Sequence, residues 1–294
     1  MNIDPGIQPR RTRAGLLPDL GRWRQVGTAM VAVALCLAGC GKSQQAAAPE
    51  PSSQAAAATT AASNDTAIDA AITSTDRLPG DSAEDVWRKP KDVLTFLGIR
   101  PGMQVLDYFS AGGYYTELLS RIVGEHGQVI AYNNAGYLKF AKEKPQQRYG
   151  ANRLANVAQL TTPPGELTVT PGSLDAALFV MSYHDLYWQP KNDTEWGTID
   201  PAQSLMKLVA ALKPGATVLV LDHVANAGGD TRATVDALHR IDPAVVRRDF
   251  EAAGLKFDAE SMVLRHPADD HTKPVFDPSV QHQTDQFIYR FRKP

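Results

Sequence analysis

The chain has 294 residues, of which 43% are apolar and 21% charged, a balance that excludes wholesale disorder and a fibrous repeat. The formal net charge of −2 carries no basic surplus, so no nucleic-acid partner is expected. The two cysteines, Cys36 and Cys40, lie near the start, and the globular part has neither disulfide nor thiol chemistry of its own.

Arg10, Arg11, Arg13, Arg22 and Arg24 precede an uncharged run over 27–38. That run is too short for a bilayer core of about 30 Å but suits the core of a signal peptide. It ends in Leu37-Ala38-Gly39-Cys40, which resembles the bacterial lipobox. The resemblance implies removal of residues 1–39, a lipid on the Cys40 sulfur and a place in the cell envelope. The absence of aspartate at Gly41 points to the outer membrane of a two-membrane cell. Residues 40–75 are rich in Ala, Ser and Pro, with no large apolar side chain before Ile68. Such a segment cannot bury enough surface to offset its ordering entropy, and it reads as a disordered tether. Residues 76–294 form the expected domain.

Within that domain, strand and helix patterns alternate. Pro90 opens a helix that Gly98 closes. Gln104–Phe109 reads as a buried strand, and Tyr115, Leu118, Leu119 and Ile122 mark one helix face. Gln128–Tyr132 is the second strand. A weak helix follows over Ala135–Lys144, stopping at Pro145, and then a third strand over Asn156–Thr161. Leu174–Met181 is almost continuously apolar, as a strand covered on both faces should be. Leu205, Leu208, Val209 and Leu212 give a helix that Lys213-Pro214-Gly215 stops, before a strand over Ala216–Leu221. Helices over Thr231–Arg240 and from Asp242-Pro243 to Gly254 precede two last strands, Ser261–Arg265 and Gln286–Phe291. With no helix between them, these two pair antiparallel. The whole predicts an α/β, Rossmann-like three-layer sandwich with a mostly parallel sheet.

Ligands of such sheets sit beyond the carboxyl ends of the strands. The first strand ends in Asp107, followed by Ser110, Gly112 and Gly113, a turn that lets backbone approach a ligand. The fourth is followed by Ser182, Tyr183, His184, Asp185, Tyr187 and Trp188, where His184 has the near-neutral basicity of a proton acceptor. Asp222 and His223 follow the fifth strand; His266, Asp269, Asp270 and His271 follow the sixth. His184, Asp185, Asp222, His223, Asp270 and His271 are therefore expected to converge. No local spacing supports a metal site in that set, and metal is the less favoured reading. His126 and His282 read as solvated, and His239 with Arg240 as favourable charge at a helix end.

The order of a strand ending in Asp107, a glycine turn, a helix, and Leu212-Lys213-Pro214-Gly215 before a strand ending in Asp222 resembles the class I S-adenosylmethionine-dependent methyltransferases. Gly112-Gly113-Tyr114-Tyr115-Thr116-Glu117, Tyr183-His184-Asp185 and Asp269-Asp270-His271-Thr272-Lys273-Pro274 are similar to a bacterial family of predicted methyltransferases. The resemblance implies a seven-stranded sheet with an antiparallel last strand and S-adenosylmethionine held by Asp107, Ser110, Gly112, Gly113 and Asn133. His184, Asp185 and Tyr183 would act on a small-molecule acceptor. Phe109 and Ala111 stand where that family's loop has glycines, and Asn133 where it has an acidic residue. These departures leave two alternatives: a non-catalytic envelope protein that binds a ligand or partner, and a metal-dependent hydrolase.

Overall fold

The computed structural model describes residues 64–191 and 195–294, all within one compact unit. The signal segment 1–39, Cys40 and most of the 40–75 tether lie outside the described residues. The tether's last part does not: residues 64–73 form a helix, α1, with Ile68 and Ala71 buried. Tertiary packing holds it rather than propensity: Ile68, Ala71 and Ile72 set one apolar face against the domain. The domain therefore begins before residue 76.

Helices α2 (Asp81–Arg88) and α3 (Pro90–Leu97) follow, the second ended by Gly98 at φ 78°. Then come β1 (Gln104–Tyr108), α4 (Tyr114–Val123), β2 (Gln128–Asn133), α5 (Ala135–Ala141), α6 (Lys144–Tyr149) and β3 (Val157–Thr161). Pro145 does not end the helical stretch. It sits in the first turn of α6, where its missing N–H has no partner to lose. The chain continues through β4 (Leu174–Val180), α7 (Pro201–Ala211), β5 (Leu212–His223), α8 (Thr231–Leu238), α9 (Pro243–Ala252), β6 (Lys256–Ser261) and β7 (Gln286–Arg292). Asp200, Asp230 and Asp242 cap α7, α8 and α9 by accepting backbone N–H groups. Strand β6 lies earlier than the expected Ser261–Arg265, and β5 begins at Leu212, with a register shift opposite Leu174/Ala176.

The seven strands run in the order β3-β2-β1-β4-β5-β7-β6. All pairs are parallel except β5–β7 and β6–β7. Alternate strand residues feed two cores. Val105, Ala176 and Leu178 meet Leu118, Leu119, Leu94 and Ile68 on one face, and Leu106, Ala177 and Phe179 meet Leu205, Leu208 and Phe250 on the other. The strand order reverses between β1 and β4, so the loops after those strands flank the crevice where ligands of such sheets bind.

Candidate active site

Beyond β1 the chain turns through Phe109, Ser110, Ala111, Gly112 and Gly113. Phe109 at φ 56°, Ala111 at φ 48° and Gly113 at φ 78° are all left-handed. Two non-glycine residues thus hold a glycine conformation, a local strain of order 1–2 kcal/mol each. The loop is tied from inside. Asn133 accepts the Ala111 N–H at 2.9 Å and donates to Ser110 Oγ at 2.9 Å. Thr116 donates to Asp107 at 2.6 Å. Burial pushes the Asp107 carboxyl up to about 6, only partly offset by the Thr116 hydroxyl and amide. The expected ligand-holding residues Asp107, Ser110, Gly112, Gly113 and Asn133 are therefore together, and Asp107, Ser110 and Asn133 already have protein partners.

Helix α6 lies on the loop. Arg148 Nε donates to the Gly112 carbonyl at 2.5 Å, and its other nitrogens reach Asp81 at 2.7 Å and Glu117 at 2.5 Å. A Cβ on Gly112 would meet the Lys144 chain at 2.8 Å, and one on Gly113 would collide with the Tyr149 hydroxyl. Phe109 stacks on Tyr137 at 4.3 Å, with Trp196 at 6.1 Å. Among the described residues, the Tyr149 hydroxyl and Trp196 Nε1 are buried and find no hydrogen-bond partner. Burial raises Glu117, but Arg153, Arg121 and Arg148 outweigh it and hold the carboxyl at about 2. Sequence reasoning missed the Arg148–Asp81–Glu117 bridge, because its partners are 31 and 67 positions away from Arg148. An open depression of about 490 Å³ lined by Arg100, Met103, Asp175 and Lys213 lies at the opposite end of the strands and contains none of these residues.

Beyond β4, Met181 is again left-handed and His184–Leu186 make one tight helical turn. Asp222, at the end of β5, accepts the His184 backbone N–H at 2.9 Å and its Nδ1–H at 2.7 Å. The other ring nitrogen, Nε2, lies 3.3 Å from Asp185 Oδ1, and Tyr137 donates to Asp185 Oδ2. Burial lowers the His184 basicity, but Asp185 and Asp222 outweigh it and leave the imidazole at about 9. Both nitrogens of the imidazole thus face carboxylates, Asp222 at Nδ1 and Asp185 at Nε2. The neighbouring His223, buried and bonded to Thr284 at 2.8 Å, is pushed the other way, to about 3.

Of the six residues expected to converge, His184, Asp185 and Asp222 meet and His223 lies behind them. His271 instead bonds Asp285 and Asn226, each at 3.1 Å, and Asp270 caps Thr272. Asp269 pairs with the buried Arg240 at 2.8 Å. That loop is a structural clamp on β7. Tyr183 turns into the core between Phe179 and Phe250 and donates to Asp249, so its hydroxyl does not reach the rim. His239, read from sequence as a helix-end charge, brings its Nδ1 within 3.7 Å of Asp185 Oδ1. Only the fold places it there, 54 positions from its partner.

No family model matches the chain, and neither does a curated protein. Solved structures do. A SAM-dependent methyltransferase from Aquifex aeolicus is 18% identical over 73% of this chain and 95% of its own, with a TM-score of 0.51. This is the class I methyltransferase fold. A second match is the [4+2]-cyclase SpnF, 16% identical over 83% of this chain and 97% of its own, with a TM-score of 0.50. The methyltransferase fold thus fixes the crevice between β1 and β4 without fixing one chemistry.

Proposed function

We propose that this domain transfers a methyl group from S-adenosylmethionine to a small acceptor, in the cell envelope, tethered through a lipid on Cys40. The observation that carries the reading is the reversal of strand order between β1 and β4, flanked by the left-handed 109–113 loop and the buried His184–Asp222 pair. The left-handed loop and the N-terminus of α4 offer backbone N–H groups of the kind the cofactor needs, but in this structure Lys144, Arg148 and Tyr149 of α6 cover Gly112 and Gly113. Ser110, Gly112, Gly113 and the N-terminus of α4 would hold it once α6 lifts from Gly112 and Gly113. When bound, S-adenosylmethionine supplies a methyl carbon on a sulfonium, which an acceptor lone pair takes as the carbon–sulfur bond breaks.

The chain's own part is positioning and proton handling. His184 and Asp185 lie side by side on the rim, Nε2 3.3 Å from Oδ1, and this pair would take the acceptor's proton. Asp222 fixes the ring through Nδ1. Tyr137 and Trp196 exclude water.

Calorimetric titration of the full chain with S-adenosylmethionine tests this. Micromolar binding, weakened at least tenfold in Gly113→Ala, supports the reading. A folded chain that gives no heat overturns it and favours the non-catalytic alternative, which the Phe109 stack and the engaged Asn133 amide already suit. Loss of lipid labelling in Cys40→Ser tests the anchor.

A further inference from the structure

The geometry points to a divalent transition-metal site built from His184 Nε2, Asp185 Oδ1 and His239 Nδ1. The site shares His184 and Asp185 with the methyl-transfer reading and adds His239. Asp185 Oδ1 is 3.3 Å from His184 Nε2 and 3.7 Å from His239 Nδ1, and the three atoms lie within 4.8 Å of one another. Ligand atoms about 2.1 Å from a common ion, at tetrahedral or octahedral angles, are ~3.0–3.4 Å apart, so small side-chain movements close the site.

The atoms behind the ligands are arranged as a metal site requires. Asp222 takes the Nδ1–H of His184 at 2.7 Å, which leaves Nε2 as the ligand nitrogen, its proton released as the ion binds. Tyr137 donates to Asp185 Oδ2, which leaves Oδ1 as the ligand atom. His184 and Asp185 are buried, while the His239 side chain is 19% exposed, between Trp188 and Phe276, and gives an entry path.

His239 occupies the left-handed position that closes α8, at φ 50°. Glycine or asparagine is the residue that position favours. A histidine there is held against its backbone preference, and its ring meets that of His184 edge-on at 5.6 Å. Two imidazoles and one carboxylate suit zinc, iron(II) or manganese(II), and three protein ligands leave a coordination position for an oxygen donor.

The test is titration of the full chain carrying Cys36→Ser and Cys40→Ser with Co²⁺, read by its visible d–d spectrum, and with Zn²⁺ by competition. One equivalent is expected, with no thiolate charge-transfer band. His239→Gly suits the backbone at that position, so it removes a ligand without unfolding the helix end, and should weaken binding at least a hundredfold. Asp222→Asn should weaken it ten- to a hundredfold, and His126→Ala not at all. Failure to take up one equivalent, or uptake that survives His239→Gly and His184→Ala unchanged, overturns the proposal. Either result is independent of whether S-adenosylmethionine binds.

Discussion

Phe109 and Ala111 share a left-handed backbone, but substitution should separate them. Ala111→Gly removes the Cβ penalty and should stabilise by about 0.5–1 kcal/mol, after the entropy glycine adds to the unfolded chain. Phe109→Gly relieves the same strain yet deletes a ring buried on Tyr137 and Tyr132, and should destabilise by about 3–5 kcal/mol. Urea midpoints of the two variants would check the contrast. Two carboxyls set opposite pH responses. Asp107 is raised to about 6, so its protonated form is favoured by folding, and its contribution is lost as pH rises from about 4 through 6. The loss amounts to about 3 kcal/mol at neutral pH and should vanish in Asp107→Asn. Glu117 is held at about 2, so its contribution is present above about 4.5 and is lost as pH falls toward 2. The stability difference between the wild type and Asp107→Asn should therefore fall as pH rises from about 4 to 6, and that between the wild type and Glu117→Gln should fall as pH drops from about 4.5 toward 2; a difference independent of pH would contradict the corresponding assignment.

At the scale of elements, α6 is the informative one. Arg148 joins it to α2 through Asp81, to α4 through Glu117 and to the loop through the Gly112 carbonyl. Removing one partner of a buried ion pair strands the others, so Arg148→Ala should cost about 3–5 kcal/mol. It should also speed amide exchange in α6 and along residues 109–113 before exchange elsewhere changes. Gly113→Ala strains a left-handed backbone and drives a methyl into the Tyr149 hydroxyl. Tyr149→Phe should restore part of the lost stability, which a double-mutant denaturation series would show. None of this was legible from the sequence. Proline is read as a stop, yet Pro145 starts α6, and the partners of Arg148 are distant in the chain. The strand-and-helix alternation was legible, because Val, Leu and Ala fill both faces of β4 and β5 and the Asp242-Pro243 pair marks the start of α9.

For the whole molecule, the sequence pattern gives the sheet and the glycine loop but not the extent of the domain or the full rim. Helix α1 carries one deeply buried large side chain, Ile68, in an alanine-rich setting, so periodicity had little to register. His239 comes from the end of a helix rather than a strand, so an argument from strand ends passed over it. A chain starting at residue 76 lacks α1 and the Lys91–Asp69 ion pair. It should melt several degrees lower than one starting before residue 64. Ile68→Ala in the full chain should account for about 2–4 kcal/mol of that loss. Equal melting temperatures would show that α1 contributes nothing.

Strand β7 lies between β5 and β6 although it follows both in sequence. Until residues 286–292 are available, β5 keeps one bare edge and β6 has no strand to pair with. A nascent chain that has not yet supplied that segment therefore holds only a partial sheet, with its long-range pairing still unmade. The unpaired β5 edge is then the place where a stalled chain would aggregate.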